Sequence, residues 1–268
     1  MPLTTDLRIE QKALYDLFEN QPDSFWQSPS QFKDWKIWDI IAHLHFSDHM
    51  ALTAATSDEA FFALQAELAE LFTGEISFRD YARNWAGNIS GQELLNHWNQ
   101  MFNDMCTRFD EAPDGQRYKW FGPDMGVRMF ATARQMEIWS HGQAVYDLLG
   151  IKRENTDRIK NIVVIGIKTF GFNFKLHGKA VPETVPYVSL KSPSGALWTF
   201  GEENDAEHIN GDAVEFAQVV TQTRNINDTN LTVKGKTATN WMAIAQCFAG
   251  GPETPPAPGK RRMTVNQG

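Results

Sequence analysis

Apolar side chains recur at helical spacing through the first 180 residues, in segments separated by polar stretches and glycines. The first predicted helix covers residues 5–18, where Leu7, Leu14 and Leu17 share one side and Thr4 or Thr5 is the N-cap. Two further helix ends have clear signals. Ser90 and Glu93 have the spacing of a capping box at the start of a helix, and Gly150 follows the predicted helix 125–149 as its terminator. These predicted helices cover residues 37–72 with a break near 58, 91–112, 125–149 and 156–176.

The pattern changes near residue 180 to short β-prone runs separated by proline and glycine. Strands are predicted over 187–191, 197–200, 208–210 and 231–234, and helices over 212–221 and 238–249. SPSG at 192–195 is a turn sequence suited to a hairpin. The fold class is therefore α plus α+β, with domains over 1–180 and 181–250. The Pro/Gly-rich tail, 251–268, is expected to be an extended strap or disordered.

Composition and charge reduce the number of function classes that fit the chain. The chain has 268 residues, 42% of them hydrophobic, and a formal charge of −8, which argue for a packed core and against broad binding to nucleic acid or an anionic membrane. The polar N-terminus, the absence of a long apolar run and two distant cysteines predict a cytoplasmic protein without disulfides. The basic cluster at 260–262 is expected to aid solubility or to dock on the acidic body. Phosphate-loop, dinucleotide and nucleophile-elbow motifs are absent from the sequence.

Glu137 and His141 lie four residues apart on the predicted helix 125–149 and therefore share a face. A carboxylate oxygen and an imidazole nitrogen at that separation can bind one metal ion together. A solvated or hydrogen-bonded pair without metal is the alternative. Trp139, between them, points about 200° away from each and is expected to pack behind the ligand helix.

The segment HLHFSDH supplies three histidines to one helix. His43 points about 200° away from His45, so a single face cannot use all three together with His49. Asp39 precedes His43 by one turn and would either hold the second ring nitrogen of that histidine or serve as a first-turn acid of the helix.

Two segments, DWKIWDIIAHL and RQMEIWSHG, resemble the N-terminal metal-binding domain of the mycothiol-dependent maleylpyruvate isomerase family, within the DinB-like four-helix bundles. The resemblance implies a metal site made by His43, Glu137 and His141, with about ninety residues between the first ligand and the pair. The runs SPSG, WTFG and INGDA resemble a sterol-carrier-like α+β domain that is often fused to this bundle.

Two imidazoles and one carboxylate are typical of catalytic zinc, although nickel, iron and manganese stay open. The resemblance implies an enzyme in which a metal-bound low-molecular-weight thiol adds to a small electrophilic substrate for isomerisation or group transfer. It also implies an arginine of the C-terminal part near the metal, and Arg224 is the best positional match. The alternative is that Arg224 is an ordinary surface arginine that follows a helix. Arg134 is expected to pair with Glu137 rather than to clamp substrate, and Arg128 is a third candidate cation.

Two other functions use the same ligands. One is metal-dependent hydrolysis. The other is a non-enzymatic metal- or apolar-ligand-binding protein, in which a fourth side chain such as His45 or His49 would close a structural metal site. The expected partners are a small molecule and, for a bundle of this kind, a second copy in a homodimer, with no nucleic acid and no membrane.

Overall fold

A computed structural model describes residues 2–69 and 73–264, and the chain divides into two compact units between His141 and Gly142. Unit 1 is mainly helical. Its two short strands, β1 and β2, pair antiparallel just before the last helix, whose final residues belong to unit 2. The elements that begin in unit 1 are α1 (Thr5–Tyr15), α2 (Ile37–Thr56), α3 (Asp58–Glu67), α4 (Phe78–Ala86), α5 (Gly91–Asp110), β1 (Arg117–Tyr118), β2 (Met125–Gly126) and α6 (Val127–Leu149).

Serine side chains mark the helix starts in unit 1. Ser57, Ser77 and Ser90 each accept a backbone N–H from the third residue onward, at 3.0–3.1 Å, which satisfies a donor that the first helical turn leaves unpaired. The predicted capping residue Ser90 and the break near residue 58 are thereby confirmed. Thr4 precedes α1, but its hydroxyl donates to Asp110 instead of capping the helix. The predicted helix ending at 72 reaches residues 70–72, which lie outside the described part of the chain.

Helix α4 is absent from the sequence prediction, although its signals are present. Ser77 caps it, and Gly87, with φ of 78°, ends it. Phe78, Tyr81 and Trp85 recur at helical spacing and pack on Phe46 of α2. Because Phe78 also contacts His43, α4 forms one wall around that histidine.

Unit 2 combines helices with one four-stranded sheet in the order β4-β3-β5-β6. β3 and β5 are parallel, and the β3–β4 and β5–β6 pairs are antiparallel. Val188 and Ile209 are opposite each other in β3 and β5, and both are fully buried. The elements are α7 (Lys160–Lys168), α8 (Phe170–Leu176), β3 (Tyr187–Lys191), β4 (Leu197–Phe200), β5 (His208–Asp212), α9 (Ala213–Val220), β6 (Thr232–Lys234) and α10 (Lys236–Met242).

The mixed helical and α+β composition predicted from sequence is confirmed, with local differences. The predicted helix 156–176 is divided at Thr169, and α10 ends at Met242 rather than near residue 249. The compact units meet at 141/142, whereas the composition changes near 180, just before β3. The two boundaries differ because amino-acid composition reflects the type of secondary structure, whereas a compact unit is defined by which elements pack together. For example, Gly166 of α7 lies directly against Val220 of α9, so this helix packs within unit 2.

The tail is an extended strap over its described residues, to 264. Its backbone carbonyls at Glu253 and Pro256 accept hydrogen bonds from Gln222 and Asn225. Arg261, from the basic cluster, donates to the Gln222 carbonyl at 2.6 Å. Residues 265–268 lie outside the described part. Every helix in residues 2–69 and 73–264 is either too short or too polar to span a lipid bilayer.

Candidate metal centre

Three side chains from two helices of unit 1 converge on one point. His43 Nε2 of α2 lies 3.3 Å from Glu137 Oε2 of α6, and His141 Nε2 lies 3.4 Å from the same oxygen. One potential ligand atom from each residue falls within 4.8 Å of the other two. Within residues 2–69 and 73–264, these three, here called the metal cluster, are the one such group of His, Cys, Asp and Glu side chains.

Helical geometry positions the metal cluster. Glu137 and His141 face the same way because four residues make about one turn of α6. His43 reaches them from α2, which begins where Asp39 Oδ2 accepts the Lys36 backbone N–H at 2.9 Å. Asp39 therefore serves as a first-turn acid, and its other oxygen pairs with Arg83, so it does not hold His43. The alternative prediction, that Asp39 holds the second ring nitrogen of His43, is wrong.

Aromatic rings surround the two histidines of the metal cluster. Trp35 stacks on His141 with centroids 5.9 Å apart and meets His43 edge-on at 5.5 Å. Phe32 and Phe78 contact His141 and His43 at 4.8 and 5.0 Å. The Nδ1 atoms of both histidines are buried and have no hydrogen-bond partner within the described chain. The rings are therefore held by packing against these aromatic side chains and by the contacts of their Nε2 atoms with Glu137.

Burial and charge set the protonation of the metal cluster. Burial, reinforced by the charge of His141, lowers the pKa of His43 to about 4. Burial alone would raise the pKa of Glu137, but its bonds with His141 and His43 outweigh burial and hold the pKa well below its usual value. At neutral pH the cluster therefore offers a neutral imidazole at His43 and an ionised carboxylate, the forms that bind metal ions.

A buried ion pair lies beside the metal cluster and corrects the prediction for Arg134. Arg134 Nε donates to Asp48 Oδ1 at 2.8 Å, and Trp98 Nε1 donates to Asp48 Oδ2 at 2.8 Å. Arg134 thus pairs with Asp48 of α2 and not with Glu137, because Asp48 is completely buried and needs a counter-charge. The contact joins α2, α5 and α6 close to the ligands. Sequence reasoning missed it because the partners are 86 residues apart.

The remaining histidines of α2 form a second group, here called the His45 cluster, with His97 of α5 and Trp85 of α4. Trp85 lies 4.8 Å from the His45 ring and 4.9 Å from the His49 ring, and His97 lies 6.4 Å from His45. No carboxylate hydrogen-bonds to these rings among the described residues, although the charge of Glu67 raises the pKa of His49 against a larger effect of burial. Neither His45 nor His49 belongs to the metal cluster.

Two arginines proposed from sequence have other surroundings. Arg224 of unit 2 donates from Nη1 and Nη2 to the two oxygens of Asp147, at 2.8 and 2.6 Å. It is therefore the half of an ion pair within unit 2, and its role toward a substrate stays a prediction. Arg128 is exposed on the first turn of α6. Trp139 is fully buried, as its position between the ligands predicts.

The donor set fits a divalent metal ion. Ligand atoms about 2.0–2.1 Å from a tetrahedral ion lie roughly 3.3–3.4 Å apart. The two nitrogen-to-oxygen distances of 3.3 and 3.4 Å match that spacing, and all three potential ligand atoms lie within 4.8 Å of one another. Two imidazoles and one carboxylate leave further coordination positions for an exogenous ligand, as in catalytic zinc sites.

Solved structures similar to this chain share its fold. The crystal structure of the mycothiol-dependent maleylpyruvate isomerase matches with a TM-score of 0.53 and 14% identity, covering 82% of this chain and 88% of that one. A histidine-to-alanine mutant of the enzyme matches with a TM-score of 0.52 and 13% identity over the same shares. At such identities the likeness concerns the fold alone.

Sequence relatives extend over nearly the whole chain. Two uncharacterized proteins of Mycobacterium tuberculosis, from strains CDC 1551 and H37Rv, are each 35% identical over 251 residues, covering 94% of this chain and 96% of their own length. Residues 7–146 match the family described as the mycothiol maleylpyruvate isomerase N-terminal domain, and this match contains all three residues of the metal cluster. The chain belongs to the mycothiol maleylpyruvate isomerase N-terminal domain family.

Proposed function

We propose that this protein binds one divalent metal ion, with zinc as the first expectation, through His43, Glu137 and His141. We further propose that it is an enzyme that uses a low-molecular-weight thiol to isomerise a small electrophilic molecule or to transfer a group to it. The observation that carries the proposal is the convergence of two imidazole nitrogens on one carboxylate oxygen at metal-ligand spacing. The structural relative is a mycothiol-dependent isomerase, which supports the use of a thiol.

The residues of the metal cluster have distinct tasks. Glu137 brings a negative charge that offsets part of the charge of a divalent ion, and its low pKa keeps that charge present at neutral pH. His43 stays neutral there because its pKa is about 4, so its Nε2 lone pair is available to the metal once the ring proton sits on Nδ1. Trp35 and Phe32 pack against His141 and keep bulk water from one side.

A divalent ion bound here supplies Lewis acidity and lowers the pKa of a coordinated thiol, so that the sulfur is nucleophilic near neutral pH. The chain must then orient the electrophile and balance its charge. We propose Arg224 for that second task, as the family resemblance suggests. Its ion pair with Asp147 would hold the guanidinium in one orientation.

Cobalt substitution tests the thiol directly. Protein loaded with Co²⁺ should develop a sulfur-to-cobalt charge-transfer band in the near ultraviolet when mycothiol, cysteine or glutathione is added. His43→Ala should give no band, because the ion is no longer held. A metal-loaded protein that gives no band with any of these thiols would contradict the thiol part of the proposal.

A turnover screen separates the proposed reaction from hydrolysis. The proposal predicts metal-dependent conversion of small unsaturated electrophiles only when a thiol is present. Metal-dependent cleavage of esters or amides without thiol would instead identify a hydrolase that uses the same three ligands. Protein that retains metal but gives neither activity would favour the non-enzymatic binding function.

We propose that the helices of unit 1 form a DinB-like four-helix bundle and that unit 2 is a sterol-carrier-like domain. The four-stranded sheet with the helices Ala213–Val220 and Lys236–Met242 supports the second assignment. A fluorescent fatty acid that binds wild-type protein saturably, and is displaced by other apolar ligands, would agree with it. Failure of any apolar ligand to bind would contradict a carrier role without affecting the metal site.

A further inference from the structure

A polar cavity of about 440 Å³ lies in unit 1, apart from the metal cluster. It is lined by Gln27, Trp38, Arg83, Asn84, Gly87, Asn88 and Ile89, none of which is a metal-cluster residue. Its size falls within the range of small-molecule sites. We propose that this cavity binds a small molecule through an oxyanion group, such as a carboxylate or a phosphate. The proposal goes beyond the proposed function and requires no metal.

Arg83 is the charged side chain that lines the cavity, and it is held in a fixed orientation. Its Nη2 pairs with Asp39, a carboxylate with only 3% of its side chain exposed. The guanidinium lies 5.1 Å from the centre of the Trp38 ring. Its other donors have no hydrogen-bond partner within the described chain, and 41% of the side chain is exposed. A planar guanidinium held in this way can donate to an oxyanion at little entropic cost.

Uncharged donors complete the site. Asn84 and Asn88 are exposed and make no side-chain hydrogen bonds within the described residues, so their amide groups are available to a ligand. Lys36 Nζ donates to Gln27 Oε1 at 2.8 Å, which brings a second cation to the rim. The lining contains no carboxylate, and both oxygens of nearby Asp39 are already in use. Asp39 balances the charge of Arg83 and Arg79 balances that of nearby Asp80, so Lys36 adds one positive charge to the free donors. This combination favours an acceptor-rich anion.

The walls of the cavity are tied together. Trp38 Nε1 donates to the Ile89 carbonyl at 3.2 Å and thereby joins α2 to the segment after α4. Gly87 adopts φ of 78°, which lets the chain turn at the end of α4 and return along the cavity. The indole of Trp38 and the side chain of Ile89 give an apolar surface for the body of the ligand. The site is thus present before any ligand binds, which lowers the cost of ordering it.

Nuclear magnetic resonance titration tests the proposal on the full chain. Succinate, inorganic phosphate and, as a neutral probe, succinamide are added separately at constant ionic strength and pH 7. Saturable shifts at Asn84, Gly87 and Asn88 with succinate or phosphate support the proposal, and the tighter of the two identifies the oxyanion class. Absence of saturable shifts with both anions, or equal binding of succinamide, overturns it.

Matched variants separate recognition from folding. Asn88→Asp places a negative charge, of the same sign as the ligand, in the cavity and leaves both residues of the Arg83–Asp39 pair unchanged. It should weaken anion binding at least tenfold. Arg83→Gln should abolish binding, whereas Arg79→Gln should not, since Arg79 lies one turn away on α4 and pairs with exposed Asp80. If Arg83→Gln fails to fold because Asp39 loses its partner, Asn88→Asp still decides. Unchanged affinity in Asn88→Asp would contradict the site.

Discussion

Helix α2 carries histidines into two clusters that differ in what meets them. In the metal cluster, His43 and His141 share the carboxylate of Glu137 at 3.3 and 3.4 Å. In the His45 cluster, His45 and His49 both meet the indole of Trp85, and His45 also meets His97. Burial lowers the pKa of both His43 and His45 to about 4, so neutrality at pH 7 is common to them. The comparison indicates that the two clusters differ by a converging carboxylate and not by histidine content, and this difference is the basis for the proposed metal site.

Removing one histidine from each cluster should give the largest contrast. His43→Ala is expected to weaken divalent-metal binding by at least ten-thousandfold, roughly 5 kcal/mol, because one of three ligands is lost. His45→Ala should retain stoichiometric metal. Metal content of protein purified without chelators or nickel resin measures both. Loss of metal in His45→Ala with retention in His43→Ala would mean that the clusters have been assigned the wrong way round.

Breaking the ion pair beside the metal cluster should have the next largest effect, on the free energy of unfolding. Arg134→Met leaves Asp48 buried without its counter-charge, and should lower the free energy of unfolding by about 3–5 kcal/mol. Asp48→Asn combined with Arg134→Met removes the charge and keeps an acceptor for Trp98, so most of that loss should be recovered. Urea denaturation of the metal-free proteins measures the coupling. Additive effects of the two substitutions would show that the pair does not act as a unit.

Acid should reveal the His45 cluster without any metal. The unfolded chain protonates His45 near pH 6.5, whereas the folded chain resists protonation down to about 4. The unfolded state therefore binds more protons between these values, and stability present at pH 7 is lost as the pH falls. Between pH 7 and 5, metal-free wild type should lose about 2 kcal/mol more than His45→Phe. Parallel stability curves for the two proteins would contradict a buried neutral His45.

Trp85→Ala should have the smallest effect. The indole is 37% exposed and covers His45, His49 and Phe46, so its removal should cost roughly 1–2 kcal/mol of unfolding free energy. Metal affinity should not change, because within the described residues the Trp85 ring contacts His45, Phe46 and His49 and neither histidine of the metal cluster. A change in metal affinity above threefold would indicate that the two clusters are coupled through α4.

Local sequence patterns predict most elements of the fold and two members of the metal cluster. The spacing of Glu137 and His141 is a property of one helix, whereas His43 is implied by the resemblance of its segment to the family motif. The strands Tyr187–Lys191 and Leu197–Phe200 match their predicted bounds, because β-prone residues and a turn sequence lie side by side. In each case the determining interactions lie within one element or between neighbours in the chain.

Features that depend on distant partners could not be predicted in this way. Arg134 was assigned to Glu137, three residues away, but the buried carboxylate of Asp48 takes its charge. Asp39 was considered as a partner of His43, but Arg83 from the unpredicted helix α4 pairs with it. A buried carboxylate needs a counter-charge, so burial decides which ion pairs form in the folded chain. The burial of Asp48 and Asp39 cannot be predicted from the residues next to them in the sequence.

Anomalous diffraction at the metal absorption edge tests the central claim most directly. Crystals of protein purified without chelators or nickel resin should show one strong peak about 2.0–2.2 Å from His43 Nε2, His141 Nε2 and a Glu137 oxygen. The same crystals should show no peak within the His45 cluster. A stoichiometric metal bound by His45, His49 or His97, with none between His43, Glu137 and His141, would contradict the account.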